Sequence, residues 1–324
     1  MTFSADTILL SAEQAIDIVK KSCHSHEQNQ EDIRLFASAN ALREKYFANH
    51  IELCAIINAR CGNCDMDCLF CVQSKHSTAS VEKFPLMSDE LLRQRILKLA
   101  ATPVRHIGLV TSGGTLPARD VERLQAVCAS LIEECPSLKG RLCGSLGKLG
   151  AEAMQSLQAC GITRIHHNLE CGEQFYASIC TTQKWSDRAA TISRATDLGL
   201  EVCAGGLFGL GETWDDRIAL AEALNARQVK NVPLNFFVAR QGTPMADMQA
   251  LTSLEALRII ALFRHLMPTA TLRVCGGRPQ ILQDRQSEIF HAGANALMTG
   301  DYLTTHGYGI DHDVAMIEEL GLAL

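Results

Sequence analysis

Cys64, Cys68 and Cys71 lie in one short loop in the order C-x-x-x-C-x-x-C, within the stretch Asn58–Ser74, and Phe70 directly precedes the last of them. As thiolates they can bind three irons of a cubane 4Fe–4S cluster, a group whose usual protein site has four cysteines. One iron is then left open to a ligand that the protein does not supply. Zinc is the competing reading, because it takes four tetrahedral ligands, often as two C-x-x-C pairs. Cys61 and Cys64 make one such pair, but no second one stands outside the loop.

Such a loop needs a scaffold, and a repeating one begins at residue 51. Short β-prone apolar runs alternate with segments of helical periodicity. The runs are Ile51–Asn58, Arg105–Thr111, Arg141–Ser145, Arg164–Leu169, Glu201–Gly205, Val232–Val238, Thr271–Cys275 and Ala294–Thr299. Helices are predicted over Ser88–Ala101, Arg119–Glu134, Gly150–Ala159, Ser186–Leu198, Thr213–Ala226, Ser253–Leu266, Gln283–Ala292 and Asp311–Leu320, with Ser88, Ser186, Thr213 and Ser253 as N-caps. Eight strand–helix repeats predict an α/β fold, a closed (β/α)8 TIM barrel, with a doubly wound open sheet as the alternative. Two N-terminal helices precede it, one opened by the capping box Ser11–Gln14 and one over residues 30–48. They are expected to plug or pack on one end of the fold. The chain reads as one domain, with residues 1–50 a helical extension and 51–324 the barrel.

A barrel of this kind carries its site at the C-terminal ends of its strands. The first strand runs into the cysteine loop, and the third carries Cys143. The fourth ends in His166-His-Asn168-Leu-Glu170, and the fifth in Cys203-Ala-Gly205-Gly206. The sixth holds Asn235, and the seventh holds Arg273 and Cys275. Each strand cysteine alone would pass for a small core residue. Their recurrence near strand ends points to ligands.

The loop, with its aromatic residue, resembles the radical S-adenosylmethionine (SAM) enzymes. The order of the later motifs resembles the biotin synthase family within that superfamily. The resemblance runs from about residue 50 onward and rests on Val72-Gln-Ser74 after the loop, H-H-N-L-E at 166–170, Cys180-Thr-Thr182, V-C-A-G-G-L-F-G-L-G-E at 202–212, V-P-L-N at 232–235, A-G-A-N-A-L-M-T-G at 292–300 and Leu303-Thr-Thr305. It implies an enzyme that cleaves SAM to a 5′-deoxyadenosyl radical, removes hydrogen from dethiobiotin and inserts sulfur from a second, auxiliary iron–sulfur cluster.

Carried onto this chain, the resemblance gives Cys64, Cys68 and Cys71 the SAM cluster and Phe70 the adenine. It gives Asn168 and Glu170 the ribose, as neighbours on one strand, and Arg188 the SAM carboxylate. Gly205, Gly206, Gly209 and Gly211 would let backbone approach the cofactor, ordinary strand-end turns being the alternative. Asn235 resembles a ligand of the substrate ureido group. His166 replaces an Asn frequent in the family and is the second substrate contact. Arg278 is read either as a site residue or as a structural ion-pair partner. Reduced flavodoxin or ferredoxin is the implied electron donor, and a homodimer is compatible with the family.

The auxiliary site departs from the family, which uses three strand cysteines and an arginine on a 2Fe–2S cluster. Cys143, Cys203 and Arg273 match three of those ligands. The remaining cysteine would fall within 107–110, at Gly108, and is missing, while Cys61 and Cys275 are extra. The expectation is a four-iron cluster on Cys61, Cys143, Cys203 and Cys275, with Arg273 as a ligand or neighbour. A smaller cluster on Cys143, Cys203 and Arg273 is the alternative. Cys23, Cys54, Cys128, Cys135, Cys160, Cys171 and Cys180 are assigned to packing. The altered ligand set keeps other readings open: sulfur insertion into another substrate, a carbon-skeleton mutase, a hydrogenase-cofactor maturase. An iron–sulfur carrier is disfavoured because it needs no nucleoside site.

Bulk properties agree. The 324 residues are 47% apolar, a globular composition. A net charge of −6 without a basic stripe gives no reason to expect nucleic acid or an anionic membrane as partner. No apolar run approaches the roughly 20 residues of a membrane span. Fourteen cysteines without a signal-peptide pattern predict a cytoplasmic protein that uses thiols for metal or redox chemistry.

Overall fold

The first strand shows how the fold is written into the chain. In β1 (Glu52–Arg60) successive residues alternate strictly between half-buried and fully buried, the two-residue period of a strand whose faces meet different surroundings. Leu53, Ala55, Ile57 and Ala59 are sealed in the main core. Glu52, Cys54, Ile56, Asn58 and Arg60 share the opposite face. The computed structural model describes residues 9–21 and 26–324, so Cys23 lies outside the described residues.

The remaining strands are β2 (His106–Thr111), β3 (Leu142–Ser145), β4 (Ile162–His166), β5 (Glu201–Cys203), β6 (Gly206–Phe208), β7 (Asn231–Phe236), β8 (Thr271–Val274) and β9 (Ala296–Met298). All pair in parallel in the order β5-β4-β3-β2-β1-β9-β8-β7-β6, and a β5–β7 pairing through Cys203 and Asn231 closes the ring. The result is a closed parallel barrel with eight strand positions. The fifth position, predicted as one strand over 201–205, is filled by β5 and β6 in succession because the chain bends at Ala204–Gly205. The predicted fourth strand also ends early: β4 stops at His166, so 167–170 form a loop.

Helices α1 (Ala12–Lys20) and α2 (His26–Phe47) precede the barrel, and α3 (Asp89–Ala100) follows β1. Further along come α4 (Ala118–Glu134), α5 (Ala151–Ala159), α6 (Glu173–Tyr176), α7 (Trp185–Asp197), α8 (Trp214–Ala226), α9 (Ser253–Leu266), α10 (Arg278–Leu282), α11 (Glu288–His291) and α12 (Ile310–Glu319). Ser11 and Thr213 form capping boxes, and Ser88 accepts the Leu91 N–H. Ser186 and Ser253 are not caps. Lys184 precedes α7 without a side-chain cap, and Thr252 caps α9 by accepting from Glu255 N–H. Of the helix expected over 283–292 only Glu288–His291 is α-helical, after a 3-10 turn at Gln283–Arg285; Gln283, with φ of +49°, ends α10.

The two N-terminal helices pack on the fold. Leu10, Ala15, Ile18, Val19, Leu35 and Ala39 pack with Ala261 and Leu262 of α9, and Phe47 at the end of α2 lies against Arg264, which donates to Ala270 O and Gly293 O just before β8 and β9. A buried two-pronged ion pair ties α2 to α9, Arg258 Nε to Asp32 Oδ1 at 2.7 Å and Nη2 to Oδ2 at 2.9 Å. That geometry satisfies both charges, the condition for burying them at all.

Candidate active site

The barrel encloses a cavity of about 490 Å³. Two groups of thiols open onto it. Cys64, Cys68 and Cys71 come from the loop after β1; Cys54, Cys143, Cys203 and Cys275 come from deeper, on or beside the strands. Phe70, His166, Asn168, Glu170, Arg188, Asn235 and Arg273 line the same space.

The loop is fastened through Asp67, which is buried between two of the cysteines. Its carboxylate accepts from Thr181 N–H at 2.9 Å, Thr182 N–H at 3.0 Å, Thr182 Oγ1 at 2.7 Å and the Thr181 hydroxyl. Burial alone would raise its pKa, but these hydrogen bonds hold the carboxyl well below the usual range. Leu69 N–H donates to Ile179 O at 3.0 Å, so the motif Cys180-Thr-Thr182 is the second jaw of a clamp. Cys180 Sγ lies 3.7 Å from Cys68 Sγ.

Past β4, Arg188 donates from Nε to Tyr176 Oη at 2.8 Å, and from Nη1 to Asn168 O at 3.0 Å and Glu170 Oε1 at 3.5 Å. Asn168 Nδ2 donates to Glu170 Oε2 at 3.3 Å. Asn168 and Glu170 do share the cavity, but not by strand alternation. Glu170 lies in the loop with φ of +71°, a conformation that L-residues other than Gly, Asn and Asp seldom adopt.

Gly205 and Gly206 do not line the cavity. A Cβ on Gly205 would fall 1.9 Å from Pro233 O, and one on Gly206 2.7 Å from Glu170 O. Their smallness lets the bent fifth strand press against β7 and the Glu170 loop, a packing role that is neither the turn alternative nor an approach to cofactor. Arg278 is structural as well: Nη2 meets Asp313 Oδ1 and Oδ2 at 2.8 and 2.9 Å, buried and away from the cavity. Asn235 lines the cavity, yet its amide already bridges Gly206 O at 3.1 Å and Gly276 N–H at 3.0 Å.

Below the deeper thiols lies a charge network that the sequence reading missed. Glu52 binds Arg273 Nη2 and faces His106 Nε2 at 3.5 Å and Arg164 Nη1 at 3.9 Å. Arg164 Nη2 also reaches Glu201 at 2.6 Å. Burial opposes the Glu52 charge, but His106, Arg273 and Arg164 outweigh it and hold the pKa at about 2. Burial pushes the Cys54 thiol up to about 11 and the Cys143 thiol to about 12. Burial also opposes the Cys203 thiolate, but neighbouring His166 outweighs it, with Arg273 and Arg164, and draws that thiol below its ordinary value.

Cys61 is not among the cavity thiols. It is buried, and its backbone pairs antiparallel with Phe84. Cys54, assigned only to packing from sequence, lines the cavity instead. The signal was the polar parity of β1, where Cys54 shares the face of Glu52, Asn58 and Arg60.

Among the described residues no three His, Cys, Asp or Glu side chains close on a point that would hold one metal ion. A four-iron cluster binds each thiolate through a different iron and so spreads its donors. The donor sets fit such groups: three loop thiols at one level, strand thiols at another, and three buried polar atoms without a partner among the described residues, His106 Nδ1, Arg273 Nε and Tyr302 Oη, on cavity-lining side chains.

Residues 60–224 match the Radical SAM superfamily, and residues 233–323 match the Biotin and Thiamin Synthesis associated domain. Fold and site thus define a radical SAM barrel enzyme. The chain is 56% identical to the biotin synthase of Desulfovibrio desulfuricans over 89% of its own length and 90% of that protein's. It is 41% identical to the biotin synthase of Trichlorobacter lovleyi over 98% and 93% of the two chains. The chain belongs to the biotin synthase family, whose chemistry is sulfur insertion. The crystal structure of methylornithine synthase (PylB) superposes with a TM-score of 0.82 over 98% of this chain and 94% of that one, at 18% identity. That likeness shows the shared fold alone, so the mutase and maturase readings gain nothing from it.

Proposed function

We propose that this protein converts dethiobiotin to biotin, with SAM on a 4Fe–4S cluster at Cys64, Cys68 and Cys71 and a deeper four-iron cluster as the sulfur source. One observation carries the reading: loop thiols and strand thiols open onto one cavity. When bound, SAM and the reduced clusters supply a carbon-centred radical and a sulfur atom, chemistry that no side chain provides.

The chain's own part is to hold, orient and exclude. Cys64, Cys68 and Cys71 would hold the cluster by three thiolates, which would leave one iron for SAM. Phe70 offers a ring face, Arg188 a cation for a carboxylate, and Asn168 and Glu170 acceptors for hydroxyls. Cys143, Cys203 and Cys275 present thiolates deeper in the barrel, with His166 level with Cys203 and Asn235 on the same cavity wall. Arg273 is engaged by Glu52, so it serves as a neighbouring cation rather than a ligand. Ile56, Val110, Leu207 and Met298 make the cavity wall largely apolar, which limits side reactions of reactive species.

Every described cysteine is a free thiol, which suits the reducing cytoplasm. Reduced flavodoxin or ferredoxin would deliver electrons, and a homodimer is the oligomeric state we carry over from the family resemblance. No helix among the described residues is long and apolar enough to cross a membrane.

The test is anaerobic incubation of reconstituted protein with SAM, reduced flavodoxin and dethiobiotin. Both 5′-deoxyadenosine and biotin should form, and changing Cys64, Cys68 or Cys71 to Ala should abolish both. SAM cleavage without biotin would overturn the substrate. Unimpaired cleavage in the Ala variants would overturn the loop site.

A further inference from the structure

We propose that Cys54 is the fourth thiolate of the deeper cluster, so that β1 supplies the ligand that β2 lacks. This rests on the reading that the deeper thiols hold an auxiliary cluster.

Position argues first. Cys54 stands on the cavity face of β1, half-buried, between Leu53 and Ala55, which are 1% and 3% exposed and face the helices. It lies in register with Met298 of β9. Cys275, Met298 and Tyr302 form a small buried cluster, and Cys54 and Ile56 pack against it. Cys54 is therefore beside Cys275, a cysteine already placed in the set.

The local sequence explains the exchange. Gly108 of β2 pairs with Ile56 on one side and Cys143 on the other. A Cβ at Gly108 would come within 3.2 Å of Ile56 Cγ2, so a cysteine there would crowd the Ile56 side chain. With glycine at 108, Ile56 fills that level of the wall, and the residue two before it on the same face carries the thiol. The same two-residue spacing places a cavity thiol above a charged residue twice, Glu52 then Cys54 on β1 and Arg273 then Cys275 beside β8, and the two charged residues bind each other.

The other candidates are otherwise engaged. Cys61 is held away by its backbone pairing with Phe84 and does not reach the cavity. Arg273 gives Nη2 to Glu52. Its Nε and the Tyr302 hydroxyl, both buried on cavity residues, have no partner among the described residues. These donors suit an acceptor such as cluster sulfide or thiolate.

The experiment uses the full chain, reconstituted anaerobically, and reads iron content and 57Fe Mössbauer spectra rather than turnover. The parent should hold about eight irons, as expected of two four-iron clusters. Cys54→Ala should fall by about half and keep the loop cluster, seen as its unchanged response to added SAM. Cys61→Ala should match the parent. In case Cys54→Ala fails to fold, Cys54→Ser keeps the size and a weak oxygen donor, and it should shift the spectrum of one cluster only. A Cys54→Ala or Cys54→Ser protein with the parent's iron and spectrum overturns the assignment, as does loss of the deeper cluster in Cys61→Ala. A parent with only about four irons sinks instead the reading on which it rests.

Discussion

Two carboxylates, each held below its ordinary pKa, support the two thiol sites by different means. Asp67 secures the loop cysteines with hydrogen bonds from neutral donors, the amides and hydroxyls of Thr181 and Thr182. Glu52 lies under the strand cysteines between two cations, Arg273 and Arg164, with the His106 ring at 3.5 Å. The loop has no ladder to fix it and needs a clamp from another part of the chain. The strand thiols are fixed by their backbone ladders, and the charges beneath them serve another purpose. Two guanidinium groups near the thiols favour thiolates, and Glu52 offsets the cost of burying those cations.

Removing each carboxylate should separate the two roles. Glu52→Gln leaves Arg273 and Arg164 buried without their shared anion, a loss of about 3–5 kcal/mol by the usual cost of breaking such a pair. The melting temperature should drop by several degrees, and iron at the deeper site should be lost before iron at the loop. A melt equal to the parent's would show that Arg164 and Glu201 alone suffice. The pH dependence follows from the depressed pKa. The Glu52 contribution is complete above its unfolded value near 4.3 and fades as pH falls toward about 2. In the Glu52→Gln protein that acid-labile part should be missing from the stability–pH curve.

Asp67→Asn should do less and act elsewhere. One acceptor oxygen is exchanged for a donor facing donors, which costs about 1–3 kcal/mol, confined to the loop. Iron at the loop should then be stripped faster by a chelator, while the melt of the barrel stays near the parent's. The folded pKa of Asp67 is depressed, so the clamp is intact above about 3.9 and weakens in more acidic solution. Equal chelation rates in the Asp67→Asn and parent proteins would mean that the Leu69–Ile179 backbone bond holds the loop unaided.

The grouping of the loop thiols was legible because C-x-x-x-C-x-x-C is local: its spacing places three cysteines in one short loop, all of which line the cavity. The barrel was legible too, since eight β-prone runs separated by helical segments leave few topologies. The strand site was only partly legible, because it depends on which strands are neighbours and how deep each residue sits. Cys61 adjoins the loop in sequence, yet the pairing with Phe84 turns it away. Cys54 is ten residues before Cys64 and reaches the cavity through the alternation of β1, a pattern visible in E-L-C-A-I-I-N-A-R only when its polar members are read as the inner face. Gly205 and Gly206 show the same limit. Their demand for space comes from Pro233 and Glu170, contacts that a linear motif does not display.

The smallest of these effects concerns the joint between the two regions. Glu170 stands past the end of β4, between the loop thiols and the strand thiols. Its backbone is tied to the fifth strand by the bonds Glu170 N–H to Gly205 O at 3.2 Å and Leu207 N–H to Glu170 O at 2.8 Å. A change to Ala keeps both, and the left-handed φ disfavours Ala and Glu alike, so the fold should stand. What disappears is a carboxylate whose side-chain contacts, 3.3 Å from Asn168 and 3.5 Å from Arg188, are long enough to leave it free for a ligand's hydroxyls. Loss of one such charge-assisted bond should weaken SAM binding by about tenfold, roughly 1.4 kcal/mol. Equilibrium binding of SAM to reconstituted Glu170→Ala, alongside a thermal melt, decides it. Parent-like affinity would make Glu170 a support for Arg188 rather than a contact. A melt several degrees lower together with weak binding would place its role in the β4–β6 joint, and the cofactor pocket would then depend on how the fifth strand bends.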